Sequence, residues 1–310
     1  MTLRKATVPR DAGPQKLDQF LKSAFPGVSL EYARRLLSDG RVRIRGKLPK
    51  PMRKLWGGEE VEVDFPAAAA APRVQGTHLK ALFESPEFLV LDKPAGLVVE
   101  PEGRAPCIVT LAASQFRGFD VLGAAVPGVA HRLDRETSGC LALAKTDAAL
   151  ANLQAAFVEK RVNKRYLALV LGIPPETSSL EGPYSRDPEN PRKFTTRFAS
   201  ARRASLTFQV RERLSDCTLV EVKLETGRTH QIRVQLSEAG FPLLGDSVYG
   251  TEASIQHPAA RALGRLALHA HSLAITFPAP ASPISVNAAL PSEFEEALHL
   301  LRGKPHIGLE

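Results

Sequence analysis

The chain has 310 residues, 44% of them hydrophobic, with 41 Lys and Arg against 33 Asp and Glu, a formal charge of +8 and an isoelectric point near 9.5. There is enough apolar material for a real core, which excludes a disordered chain, and Cys107, Cys140 and Cys217 have no paired spacing, which excludes a disulfide scaffold. No apolar run approaches the roughly 20 residues that cross a bilayer and residues 1–10 lack the apolar stretch of a signal peptide, so a cytoplasmic protein with an anionic partner and no membrane contact is expected.

The basic excess is concentrated at the amino-terminal end. Residues 1–65 hold 14 Lys and Arg against 8 Asp and Glu, a net of +6, leaving +2 for the rest. Apolar residues at helical spacing in LDQFLK (17–22) and SLEYARRLL (29–37) predict two short helices, with Ser29 as N-cap and Gly40 just past the second. RVRIRGK (41–47) then alternates, with Val42 and Ile44 on one strand face and arginines on the other. Arg34, Arg35, Arg41, Arg43, Arg45 and Lys47, followed by Lys50, Arg53 and Lys54, are expected to form a continuous basic surface that grips phosphates without reading sequence. GGEEVEV (57–63) predicts a closing hairpin, and residues 66–76, with five consecutive alanines between Pro66 and Pro72, predict a linker. The expected units are 1–65, a tether at 66–76, and a larger body at 77–303.

In that body, LDKPAGLVV (91–99) reads as a strand broken by a turn at Pro94 and Gly96. HRLDRETSG (131–139) sets one carboxylate, Asp134, among basic, hydroxyl and glycine residues, between Val129–Ala130 and the apolar run 141–144. That pattern is a loop between two strands, where chemistry tends to sit. Arg132 and Arg135 flank Asp134, and an arginine near a carboxylate favours its ionised form, which serves as nucleophile or base. A helix is expected over 147–160, and KRYLALV (164–170) reads as a strand. Residues 172–192 carry five prolines and are expected to be a surface loop. LETGRTHQIRVQL (224–236) reads as a turn entering a helix or strand. These residues alone leave two readings of His230 and Gln231, as site members or as groups that only satisfy the backbone. His269 and His271 have a ligand-like spacing but no third ligand nearby, so a packing role is expected and no metal. Clustered strands with irregularly placed helices predict an α+β fold on a mixed, largely antiparallel sheet. No phosphate loop or dinucleotide fingerprint is present, so no cofactor is expected.

HRLDRETSG resembles the HRLDxxTSG signature of the RluA-type pseudouridine synthases, and the three segments 91–99, 164–170 and 224–236 are similar to further family motifs in the same order. The last differs in having Gln235 where histidine is frequent. Residues 17–65 are similar to the small RNA-binding domain named after a small-subunit ribosomal protein. The resemblance implies isomerisation of uridine in structured RNA, with Asp134 as the catalytic residue and the Tyr166 ring against the target base. It also implies that Arg228 pairs with Asp134, with Arg233 the less favoured candidate, and that Arg132 enters the place a flipped uridine vacates. Asp134 would attack the ribose C1′ or take a proton from C2′; the sequence leaves both open. Ribosomal RNA of the large subunit is the favoured partner, transfer RNA the runner-up, and a monomer the default.

Two other classes stand beside this reading. A non-catalytic RNA-binding or ribosome-assembly protein would favour a lost Asp134 or Tyr166, and neither is lost. A hydrolase using Asp134 with His131 or His230 lacks a recognisable nucleophile elbow.

Overall fold

The structure, a computed structural model, describes residues 2–25, 28, 30–50, 53–65, 77–101, 106–122, 126–278 and 282–303. The expected linker at 66–76, the Ser29 cap and the Arg35 side chain lie outside the described residues. Strands and helices follow in chain order as β1 (Thr2–Thr7), β2 (Gln15–Lys16), α1 (Leu17–Ala24), α2 (Leu30–Ser38), β3 (Val42–Ile44), β4 (Lys54–Leu55) and β5 (Glu60–Phe65). The larger body holds β6 (Lys80–Glu84), β7 (Phe88–Lys93), α3 (Ile108–Gln115), β8 (Gly128–Val129), β9 (Ser138–Ala144), α4 (Asp147–Val158) and β10 (Val162–Leu171). It continues through β11 (Thr177–Pro183), β12 (Ser185–Arg186), β13 (Phe194–Thr195), β14 (Arg203–Arg213), β15 (Cys217–Leu224) and α5 (Gln231–Glu238). The last described elements are α6 (Glu252–Gln256), α7 (Pro258–Leu263), β16 (Leu268–Ile275), β17 (Ile284–Asn287) and α8 (Ser292–Arg302).

The amino-terminal sheet has the order β1-β5-β3, with Val42, Ile44, Val61, Val63 and Phe65 buried against Leu21 and Leu36 of the two helices. Gly40 ends α2 as expected: its φ is 66°, its N–H donates to Leu37 O, and the Arg41 N–H donates to Leu36 O, the paired bonds that close a helix through a left-handed residue. Three details differ from the sequence reading. The strand stops at Ile44, because Arg45 (φ 49°) and Gly46 (φ 76°) form a two-residue turn closed by reciprocal Ile44–Lys47 backbone bonds. The segment 60–65 is the central strand, not the arm of a hairpin. Its other neighbour is β1, which a run as polar as TLRKAT does not announce.

The large sheet runs β11-β14-β15-β10-β16-β9-β7-β6, with β17 beside β16 and β8 beside β9. Among the described strands only β9 and β16 pair in parallel, so the sheet is mixed and largely antiparallel, as expected. Every residue of β9 is buried, since Leu141 and Leu143 face one core while Cys140, Ala142 and Ala144 face another that contains Leu150 and Leu153 of α4. Small residues on that face let the helix approach closely. The parallel contact requires Gly139: a Cβ there would lie 2.3 Å from Ala270 O, and φ is +107°. The expected loop 172–192 contains β11, an edge strand paired with β14, and β12, the first arm of the short hairpin β12–β13. Pro183 falls at the last residue of that edge strand, where a missing N–H costs little.

Candidate active site

The HRLDRETSG loop leaves the sheet because a side chain takes over a ladder bond. β8 pairs with β9 through Gly128–Ala144 and Val129–Leu143. The next N–H in that register, of Ala142, donates instead to His131 Nε2 at 2.9 Å. The ladder ends there, and Arg132 to Glu136 project from it. The His131 ring packs on Phe157 with centroids 4.8 Å apart, and burial pushes its pKa down to about 3, which keeps it a neutral acceptor.

Two buried cations hold the far side of the loop. Lys93, fully buried, donates to the carbonyls of Pro94, Arg135 and Thr137 at 2.9, 3.0 and 2.7 Å. Arg265 donates to the carbonyl of Glu136 at 3.2 Å and to Ser138 Oγ at 3.1 Å. Three successive loop carbonyls are thereby satisfied by charged donors, which fixes the backbone that carries Asp134. His269 supports this from β16, with Nδ1 against Ser138 Oγ at 2.9 Å and Nε2 against Ala288 O at 3.3 Å, so it packs as expected.

The partner of Asp134 is Arg233. Its Nη1 donates to Asp134 Oδ2 at 3.1 Å, while Nε and Nη2 donate to Asp246 Oδ2 and Oδ1 at 2.8 Å each. Asp246 is almost fully buried and also accepts the N–H groups of Val248 and Tyr249, so its carboxylate is held on four sides and its pKa is lowered by Arg233 against the effect of burial. The expected Arg228–Asp134 pair is absent. The reason is where the helix starts: His230, at φ 59°, precedes α5, and Arg233 in its first turn points into the body. Arg228 precedes the helix on a turn fixed by the Gln231 side chain, which accepts its backbone N–H at 3.0 Å. Its own Nε donates to Arg203 O at 3.1 Å and its side chain is exposed. Gln231 therefore serves the backbone. His230 does more, with Nδ1 at 3.0 Å from the Tyr249 hydroxyl and Nε2 at 4.0 Å from Asp134 Oδ1.

These groups border an open cleft of about 1200 Å³ lined by Asp134, Tyr166, Arg132, Lys164, Arg228 and His230, among others. Tyr166 is buried in β10, and burial together with the Asp134 charge raises its pKa, so it stays a neutral phenol. Thr137 Oγ1, also on the cleft wall, is buried without a hydrogen-bond partner. Sequence reasoning ranked Arg233 second and assigned no role to Lys93, Arg265 or Asp246; only its place in the 91–99 motif marked Lys93.

In the amino-terminal unit, Arg34 pairs with Asp18 and Arg41 with Asp64, whereas Arg43, Arg45 and Lys47 are exposed and have no carboxylate partner among the described residues. Among the described residues, one group of three potential metal ligands, Asp216, Cys217 and His257, gathers away from the cleft. His257 Nδ1 accepts the Ala259 N–H at 3.1 Å, so in the neutral ring the proton sits on Nε2, the nitrogen facing the other two. The histidine acts as a helix cap there, not as a ligand.

The family model for RNA pseudouridylate synthases matches residues 87–238. The ribosomal large subunit pseudouridine synthase D of Xanthomonas campestris is 33% identical over 97% of this chain and 93% of its own length. The Pseudomonas aeruginosa protein of the same name is 34% identical over 97% of both. Among solved structures, human RNA Pseudouridylate Synthase Domain Containing 1 superposes with a TM-score of 0.56 at 25% identity, covering 75% of this chain and 99% of that one. The chain belongs to the family of RNA pseudouridine synthases, isomerases that act on uridine in RNA.

Proposed function

We propose that this enzyme isomerises specific uridines of large-subunit ribosomal RNA, with Asp134 as the reacting carboxylate. The observation that carries this reading is the chain Asp246–Arg233–Asp134, which aims one carboxylate into a cleft it shares with Tyr166. The printed names of the Xanthomonas and Pseudomonas relatives favour the ribosomal substrate over transfer RNA.

The reaction breaks the bond from ribose C1′ to uracil N1, turns the base, and joins C1′ to C5; the C5 proton leaves and N1 gains one. No electrons are exchanged with a cofactor. Arg233 engages Asp134 Oδ2, which leaves Oδ1 to attack C1′ or to take the C2′ proton. The neutral Tyr166 offers its ring to the uracil face and its hydroxyl to proton transfer. The unpaired Thr137 Oγ1 gives a polar ligand atom a partner in the cleft, which offsets the roughly 1–3 kcal/mol that an unmet buried hydroxyl costs. The uridine must leave its stack to reach this cleft, and the exposed Arg132 at the loop tip fills its place in the RNA. Residues 1–65 form the RNA-binding unit and residues 77–303 the catalytic body.

The test is pseudouridine mapping on unmodified ribosomal and transfer RNA transcripts incubated with the enzyme and no added metal or nucleotide. New pseudouridines in large-subunit RNA are expected. Modification confined to transfer RNA overturns the substrate assignment.

A further inference from the structure

Beside the main cleft lies a second one of about 720 Å³, lined by the hairpin β12–β13 and by residues 200–202 and 227–229. Gly227, Arg228 and Thr229 border both clefts, so the two meet at Arg228. We propose that this second cleft, through Arg186, Arg202 and Arg228, holds a backbone phosphate of the RNA strand next to the flipped uridine. The inference rests on the RNA-modifying function given above.

The distribution of charge separates these three arginines from their neighbours. Arg197, Arg203, Arg211 and Arg213 each have a glutamate within 3.3 Å. Arg186, Arg202 and Arg228 have no carboxylate partner among the described residues and are exposed. Arg228 is engaged only through Nε, by Arg203 O, and Arg186 through Nη1, by Pro191 O, so each keeps free N–H groups. Planar guanidinium forks suit a phosphodiester, which offers two anionic oxygens.

The cleft is also built. Tyr184 stacks on Phe194 at 5.5 Å and its hydroxyl donates to Thr229 O at 2.6 Å, tying the hairpin to the turn that bears Arg228. Arg186 lies over the Phe194 ring at 4.8 Å, and Ser200 bridges Tyr184 O and the Arg202 N–H. Ser185 Oγ, of a residue on the cleft wall, is the other buried polar side-chain atom without a partner among the described residues. Phe194 in turn meets His230 edge-on at 6.1 Å, and its N–H donates to the Tyr249 hydroxyl that also bonds His230. A phosphate seated here is thus positioned by the same aromatic cluster that borders Asp134.

The experiment uses the full chain and a stem-loop RNA carrying the mapped uridine. Binding is followed by fluorescence anisotropy across a potassium chloride series, and single-turnover product formation is measured for Arg186→Gln, Arg202→Gln, Arg228→Gln and a control, Arg211→Gln, whose residue pairs with Glu221 outside the cleft. Each of the three cleft variants is expected to weaken binding about tenfold and to lower the slope of log affinity against log salt by about 0.7–0.9, the value for one phosphate contact. Their loss in kcat/KM is expected to lie in KM. Cleft variants with the affinity and slope of Arg211→Gln, in an enzyme that still makes pseudouridine, overturn the second site and leave the proposed function standing. Wild type that makes no pseudouridine in any RNA overturns both.

Discussion

Arg233→Lys tests how Asp134 is held. Arg233 makes three charge-assisted hydrogen bonds, two to Asp246 and one to Asp134. A lysine keeps the charge but not the fork, so its ammonium serves one carboxylate at a time. The loss of the Asp246 pair costs about 3–5 kcal/mol at most, the range for an uncompensated buried charge, and residual contact through lysine brings it lower. The Asp134 bond bears on rate. A carboxylate displaced by about 1 Å from its productive position costs about 100-fold, close to 2.7 kcal/mol of barrier. We therefore expect kcat at saturating RNA to fall about 100-fold, with thermal unfolding run alongside to confirm that the variant is folded. Arg228→Lys leaves the Asp134–Arg233–Asp246 chain in place, so its effect falls on KM. The reasoning is refuted if Arg233→Lys keeps kcat within about threefold of wild type, or if Arg228→Lys loses as much kcat.

Gly139→Ala places a methyl group 2.3 Å from Ala270 O at a φ of +107°, and urea unfolding should show a loss of about 3 kcal/mol or more, as a backbone clash adds to left-handed strain. His131 is held neutral, with a folded pKa of about 3 against 6.5 unfolded, and burial also lowers the pKa of His230 and His269. Between about 3 and 6.5 the unfolded chain binds the His131 proton and the folded one does not, so stability rises with pH, by up to about 1.4 kcal/mol per unit for that group. Urea midpoints from pH 5 to 6.5 should therefore climb, and His131→Gln should flatten the climb while keeping an acceptor for Ala142 N–H; an unchanged slope would contradict the buried neutral ring. Replacing Arg43, Arg45 and Lys47 together by Gln, all exposed and without acidic partners, should lower the salt slope of RNA binding by about 2–3. A slope equal to that of wild type would remove the amino-terminal unit from the interface.

Much of the fold was legible because apolar runs and turn residues alternate sharply. The strand-loop-strand around Asp134, the helix expected over 147–160 and found over 147–158, and the turn into α5 follow the composition. The partner of Asp134 was not legible. Residues 231–236 are all buried, so α5 has no polar face by which Arg233 could be told from a solvated residue, and the left-handed His230 that sets its direction is invisible in a string of letters. Lys93 and Arg265 belong to tertiary closure: 42 and 129 positions from the carbonyls they grip at Arg135 and Glu136, they read as ordinary charges. The strand 177–183 was hidden by prolines that bracket it, and β1 by a polar sequence that pairs only because β5 offers it an edge.

The most direct test of Asp134 is Asp134→Asn in a single-turnover assay beside wild type, with RNA affinity measured on the same preparation. The substitution removes the charge and keeps the shape, so we expect affinity close to wild type and no pseudouridine. Product formed at a rate approaching that of wild type would show that another group performs the chemistry.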